Sequence, residues 1–519
     1  MKKILSLLLC VLMIGLAFGS CKPKKSGPGE ETGKKPDSTT NNDINGIPSA
    51  IPEDLVFNNE DVNILLRTDL ASEFTIEDIA KNGVEEAIFE RNHFVEDRLG
   101  IRLNFVISSA NPQNEYLTEI RKLYTSGFTA SEGGYHFVTS HVYYGAALAA
   151  EGTYLNLLNF DLDNYIDTSK PWYNQSFVTE NVLNDALYFT VGDVNLSATD
   201  RTVVTFMNKD KADAYGIGDI DYIQVVKDGM WTLDYLKTLI ADIYDDNTGD
   251  GKTLDDFYGL TIMRGSANID SLLISCGMQL AKRTEDGSLE LTVNSPANEN
   301  VYAKLYDFFY TEVPGIKVCS PIQIVGNEDD YKGKDFKYMS DQKFFDGQTV
   351  FAFGLLQSAK VFAQTKLSYQ ILPLPKLDEN MEGYRTSPQD SYNLVSVMSN
   401  CKGNDLALAT ATLECLSEQS YRLVRPEYYD IAFKIRYASE EDTAALFDMI
   451  IDNIRYEFAF VNSALIGDVL HAVRDNFIGY PQPVTSLNLI WAEQGSKIAA
   501  AFEELIENYG SYNSSDRKE

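Results

Sequence analysis

The side chains able to do chemistry are unevenly supplied in this chain: 76 acidic residues and 30 tyrosines stand against four histidines in 519 residues. The densest acidic stretch, Asp245-Asp246-Asn247-Thr248-Gly249-Asp250-Gly251 with Asp255 and Asp256 behind it, resembles a calcium loop of the EF-hand kind. Calcium takes clustered hard oxygens and a glycine at the sharp turn. The spacing is irregular, because counting from Asp246 puts Phe257 where a bidentate acid belongs. Asp246, Asp250 and Asp256 are the candidate ligands of a structural calcium; the competing reading is a polar, glycine-rich loop between helix and strand. Catalytic patterns find little footing. There is no G-x-S-x-G elbow, no H-E-x-x-H and no phosphate-cradling loop, and His93, His136, His141 and His471 have no ligand spacing. A carboxylate pair suited to glycoside hydrolysis could be drawn almost anywhere among so many acids, so such a pair means nothing. No enzymatic activity and no other cofactor are expected. The tyrosines favour recognition instead: sugars offer apolar ring faces and hydroxyl edges, which call for aromatic platforms with fixed donors and acceptors. Most tyrosines will still be packing residues. Trp231 reads the same way, since Thr232 looks like an N-cap and places Trp231 and Leu236 at the positions of a hydrophobic staple.

The start of the chain reads as an address. Lys2 and Lys3, the apolar run Ile4 to Phe18, and the small pair Gly19-Ser20 form a secretory signal over residues 1–20. Phe18-Gly19-Ser20-Cys21 resembles the bacterial lipobox, with Phe18 where Leu or Val is usual. Cys21 is therefore expected to carry lipid, anchoring the protein extracytoplasmically on the outer face of the cell membrane; an ordinary secreted protein is the alternative. Residues 21–60 are poor in large apolar groups and read as a flexible tether, with Lys22, Lys24 and Lys25 placed against anionic headgroups. The body has ordinary globular composition, enough for roughly two or three domains. A net charge of −32 argues against nucleic acid as a partner. Cys276, Cys319, Cys401 and Cys415 are not spaced as metal ligands and are expected mostly as buried thiols.

Periodicity gives the elements that must position any site. Val62 to Leu66 is an apolar strand; Val84, Ala87, Ile88, Val95 and Leu99 follow a 3.6 period; Gly100 stops that helix; and Ile101 to Phe105 alternates with period two. The sum is a βαβ unit opening a parallel sheet. Strand signals recur at Tyr135 to Val138, Val203 to Met207 and Thr349 to Phe353, with a helix from Leu233 to Tyr244. The last part is mainly helical, ending in a stripe of Ile498, Ala501, Phe502, Leu505 and Ile506. No repeat is visible.

Several segments, in order, resemble the extracellular solute-binding proteins of ABC importers, family 1, the broad group that includes maltose-binding protein. They are Arg91-Asn92 to Gly100-Ile101, Tyr135 to Val138, Phe206-Met207-Asn208-Lys209 with Tyr215-Gly216-Ile217, Gly229 to Asp234, Phe345-Asp346-Gly347-Gln348 to Phe353, and Tyr369 to Lys376. The likeness implies an α/β fold of the two-lobe periplasmic-binding-protein type (type II, Venus-flytrap), with discontinuous lobes. Crossings would lie near Ala198 to Val203, Val350 to Gly354 and Asp390 to Asn393. That division gives 61–198 and 354–392 as the N-terminal lobe, 199–353 and 393–512 as the C-terminal lobe, and 513–519 as a disordered tail. On the same likeness, His141, Tyr143 and Tyr144 fall on the first-lobe cleft loop. Asp200 and Arg201 sit at the first crossing, where they could hold sugar hydroxyls or a ligand carboxylate, or form a hinge ion pair. Phe353 and Gln357 at the second crossing, Asp390, Ser391, Tyr392 and Asn393 at the third, and Trp172 complete the candidate ligand-binding set.

The resemblance implies capture without catalysis: a small polar solute, foremost a sugar or oligosaccharide, would be enclosed by hinge closure and delivered to ABC permease subunits by a monomer. The rivals are a surface glycan-binding lipoprotein of the helical SusD-like kind, against which the βαβ opening speaks, and a secreted glycoside hydrolase.

Overall fold

In β1 (Glu60–Leu66), Val62, Ile64, Leu65 and Leu66 are fully buried, as an inner strand requires. The chain continues into α1 (Gly83–Leu99), whose first turn is capped by the Asn82 side chain accepting from the Glu85 amide. Gly100 ends it at φ +62°, where a Cβ would stand 2.6 Å from the Phe57 carbonyl, so only glycine fits. The return strand β2 (Ile101–Ile107) runs parallel to β1 with Glu60 against Ile101, and the expected βαβ opening is present. Next come α2 (Asn114–Thr125), β3 (Phe137–His141) and α3 (Val142–Ala150). The computed structural model describes residues 46–513, apart from 77–79, 81, 160–162, 248, 250–255, 264–265, 311–338, 363–364, 430–440 and 480–482. The signal, Cys21, the tether up to residue 45, Cys319 and residues 514–519 lie outside the described residues. Met1–Pro48 and Ser49–Glu519 separate as two units, and the sheets and helices belong to the second.

A second sheet uses β4 (Val203–Asn208), β5 (Tyr244–Asp245), β6 (Phe257–Ile262), β9 (Thr349–Leu355) and β10 (Tyr369–Leu372), in the order β10-β4-β9-β6-β5. Between them lie α4 (Leu233–Ile240), shorter than expected because Tyr244 already belongs to β5, α5 (Ser266–Ser275), the hairpin β7 (Ala281–Arg283) and β8 (Leu289–Leu291), and α6 (Pro296–Tyr310). The first sheet is completed by β11 (Asn393–Val397), giving β11-β3-β1-β2. The chain closes with α7 (Asn404–Gln419), α8 (Glu441–Asp452), α9 (Val469–Phe477) and α10 (Leu487–Asn508). Trp231 is fully buried against Phe351, and Thr232 caps α4 by accepting from the Tyr235 amide. Cys276, Cys401 and Cys415 are buried free thiols.

Four expectations are corrected. The strand pairing moves β10 and β11 out of the lobes expected for them, while the helix Glu441–Asp452 stays with the second sheet by packing on β10. Leu372 to Tyr369 of β10 register on Thr205 to Asn208 in the second sheet, whereas Asn393 to Val397 of β11 register on His141 to Phe137 in the first. Val350 to Gly354 is not a crossing, because β9 is an inner strand of the second sheet, buried along its whole length. The tether ends before residue 60: Phe57 and Asn59 donate backbone bonds to Leu99 and Gly100 at 2.7 and 2.8 Å, and Ile51 is buried. Asn513, placed in the tail, donates to the Tyr154 carbonyl at 2.8 Å.

The connections between the sheets lie side by side. Thr202 bridges to Pro388 and Thr386 bridges to Ile454, so segments 198–203, 386–392 and 453–457 form one hydrogen-bonded layer. Glu73, at the end of the turn after β1, is buried beside it and accepts from the Ser197 amide and the Asn393 side chain. Burial raises this carboxyl from 4.5 to about 7, against the opposing pull of those donors. Between these two values the folded protein holds a proton that the unfolded chain has released, so stability falls as pH rises through that window and levels off above it. Urea unfolding at several pH values across the window is expected to show this loss, and Glu73→Gln should remove on the order of 2 kcal/mol of it. An unchanged slope in the variant would contradict the assignment.

Candidate functional site

β1 is followed directly by Arg67-Thr68-Asp69, which puts a cation and an acid at the carboxyl end of an inner strand, where open α/β sheets build their sites. The Arg67 guanidinium is buried and forks onto Asp69, with Nε and Nη2 donating at 2.8 and 2.7 Å. Its Nη1 donates to the Ser391 and Tyr392 carbonyls at 2.9 and 3.3 Å. Burial lowers the Arg67 pKa, Asp69 opposes that shift, and the charge of Arg201 adds to it. Arg201 stands at the first crossing and donates from Nη1 to the Ser391 carbonyl at 2.8 Å and to the Ser391 hydroxyl.

These groups line a cavity of about 530 Å³. One wall comes from α3, which starts directly after β3 and so projects its first side chains at the strand end. The Tyr143 ring stands edge-on to Tyr144 at 4.8 Å and stacks on His471 of α9 at 4.2 Å and 25°. Its hydroxyl donates to Asp468 at 2.5 Å. Burial and the Asp468 carboxylate both raise the Tyr143 pKa, which keeps the phenol protonated as a donor. His141 packs edge-on against Tyr144 at 4.9 Å. Burial, with Arg474 nearby, lowers the His471 pKa and so favours the neutral imidazole. Asp468 sits at φ +63°, a left-handed conformation uncommon outside glycine, and its carboxylate is held by Tyr143.

The facing wall also carries Arg474, three residues on from His471 along α9. Its Nη1 donates to Asp270 of α5 at 2.7 Å and to Asp390 at 3.0 Å, and its Nε to Asp475 at 3.3 Å. Burial works against the Arg474 charge, but Asp270 and Asp390 outweigh it and the pKa is raised. Burial also raises the Asp270 pKa, with the Arg474 charge opposing that shift. Asn111 and Gln113, on the turn entering α2, bring amide groups to the rim. The arrangement can hold a polar molecule between aromatic faces and fixed donors.

Of the residues expected at a site, the fold brings together His141, Tyr143, Tyr144, Arg201, Asp390 and Ser391. The others lie elsewhere. Asp200 forms no pair with Arg201; it takes Lys360 at 2.6 Å and the Tyr428 hydroxyl. Tyr392 is buried under the crossing layer and packs edge-on to Tyr456 at 5.8 Å. Asn393 is buried on Glu73, and Phe353 is sealed inside β9. Gln357 lies in the turn Leu356–Ser358 after β9 and does not line the cavity. Trp172 is fully buried, with Nε1 donating to Glu414 at 3.0 Å, and borders a separate cavity of about 270 Å³. Asp256 is buried and accepts from the Asn247 amide and the Tyr244 hydroxyl, while Asp246 accepts from the Gly249 amide. Asp250 lies outside the described residues, among which no group of three acidic, histidine or cysteine side chains is arranged to hold a metal ion. Sequence reasoning missed Arg67, Asp69, Asn111, Gln113, Gln389, His471 and Arg474. A charged pair directly after an apolar strand was a usable signal for the first two. Nothing local marks His471 or Arg474.

No protein-family profile matches the chain, and no curated protein matches it. Solved structures do. A cyclo/maltodextrin-binding protein complexed with maltotetraose is 13% identical with a TM-score of 0.50, covering 88% of this chain and 98% of its own. An ABC substrate-binding protein from Listeria monocytogenes in complex with cycloalternan is 13% identical at TM-score 0.50, over 86% of this chain and 99% of that one. Maltose-bound MalE3 of T. maritima is also 13% identical at 0.50, over 86% of this chain and all of that one, 100%. At such identities the likeness speaks for architecture alone: the chain has the α/β, two-lobe fold of the type II periplasmic-binding-protein kind.

Proposed function

We propose that this protein is the solute-binding component of an ABC importer, and that it captures a sugar or oligosaccharide in the cavity beside the crossings. The observation that carries this reading is the convergence of an aromatic wall, Tyr143, Tyr144 and His471, with fixed donors and acceptors on Arg201, Ser391 and Asp390 in one cavity. Aromatic faces suit sugar rings, and the polar groups suit hydroxyl edges. The three structures of the same fold hold maltotetraose, cycloalternan and maltose, which supports the choice of saccharide. Two α/β sheets in place of stacked helical repeats speak against the SusD-like rival. Binding would draw the lobes together about the crossing layer, and the closed monomer would dock on permease subunits. Attachment through lipid on Cys21, read from Phe18-Gly19-Ser20-Cys21, is part of the proposal.

A thermal-shift screen against sugars, oligosaccharides, amino acids and peptides is expected to show saccharides alone raising the melting temperature, because ligand binding to the folded state stabilises it by mass action. A shift with peptides or amino acids only would end the sugar assignment. Tyr143→Ala should weaken saccharide affinity by about tenfold or more in calorimetry, since it removes the stacked wall. When expressed in a bacterium, the full chain should partition with membranes and Cys21→Ser should not; equal partitioning of both would exclude the lipid anchor.

A further inference from the structure

The charges lining the cavity do not balance from end to end. Arg67 uses its fork on Asp69 and its remaining face on two carbonyls. Arg474 is surrounded by Asp270, Asp390 and Asp475. Arg201 is left over. Its Nη1 is taken by Ser391, but its Nη2 lies 3.6 Å from Asp69, outside hydrogen-bond distance, and that carboxylate is already engaged on both oxygens by Arg67. Among the described residues, the Nε of Arg201 has no hydrogen-bond acceptor. Its sequence neighbour Asp200 is held by Lys360 and Tyr428 and gives no counter-charge.

Two guanidiniums thus share the Asp69 carboxylate at this end of the cavity, with buried Glu73 acting on Arg67 from behind, in a chain whose net charge is −32. Nε and Nη2 lie on one edge of the guanidinium plane, the edge that matches a carboxylate with two parallel bonds. Arg201 is 13% exposed, so a ligand reaching it meets a cation already stripped of most water. Hydroxyl groups would satisfy the donors but leave the charge unmatched.

Resting on the saccharide reading, we propose that the ligand is an acidic saccharide, bearing a uronate carboxylate that docks side-on against Nε and Nη2 of Arg201 while its rings lie along the aromatic wall. Calorimetry on the full chain tests this with oligogalacturonates and glucuronate-containing oligosaccharides, each before and after chemical reduction of the carboxyl to an alcohol. The expected result is saturable binding of at least one acidic oligosaccharide, about tenfold or more weaker for its reduced partner, and weaker again as salt is raised. Arg201→Gln should erase the difference within the pair, and Arg201→Lys should keep part of it. The comparison on the unaltered protein does not depend on either variant folding. Reduced or neutral saccharides binding as tightly as the acidic ones would overturn the acidic assignment and leave the saccharide reading standing. If no saccharide of either kind binds, or if acetate and acidic peptides bind as well as the uronates, both fall.

Discussion

One carbonyl oxygen, that of Ser391, accepts from two guanidiniums at once, Arg67 Nη1 at 2.9 Å and Arg201 Nη1 at 2.8 Å. The first cation belongs to the end of β1 and the second to the chain's first passage between sheets, so the bond pair fastens the third segment, 386–392, to both. The features at this end of the site depend on that registration. It presents the Ser391 hydroxyl and Asp390 to the cavity, turns Tyr392 inward, and leads into β11, whose pairing with β3 sets where α3 and its tyrosines begin.

The polarity of this layer has a physical consequence. Buried ion pairs add little net stability, because desolvation offsets most of the attraction, but they are strongly directional. Arg67 with Asp69, and Arg474 with Asp270 and Asp390, therefore fix geometry more than they strengthen the fold, and the hydrogen bonds of Glu73 with Ser197 and Asn393 are likewise directional. The stability comes from apolar packing, as where Val204, Phe206 and Ala352 of the second sheet meet Phe344, Phe362, Tyr428 and Ile450 in a core that also takes in Ala87 and Ile88 of α1.

Much of the fold was legible because its signals are local. The βαβ opening followed from a 3.6 period between two apolar runs, and Gly100 was readable as a stop because the turn has no room for a side chain. The lobe assignment failed after residue 354 because strand partners are chosen across long sequence separations, and neither β10 nor β11 carries a mark of which sheet it joins. The site divided the same way. His141, Tyr143 and Tyr144 could be found beside a strand end, and Arg201 with Asp390 and Ser391 at crossings. Phe353 and Tyr392 sat at similar places in the sequence but on the inward phase of the backbone, a difference that only packing decides. His471 and Arg474 are brought in by α9, which packs on α5, with Asp270 as the matching acid.

Tyr143 joins α3 on the first sheet to Asp468 and His471 of the segment that leans on α5 and the second, so aromatic wall and lobe contact are one structure. On the proposed function, a guest molecule changes how these two halves meet. Small-angle X-ray scattering of the purified protein, with and without a saturating saccharide ligand, tests it most directly. The expected result is a smaller radius of gyration in the bound state; superimposable curves with the ligand demonstrably bound would contradict it.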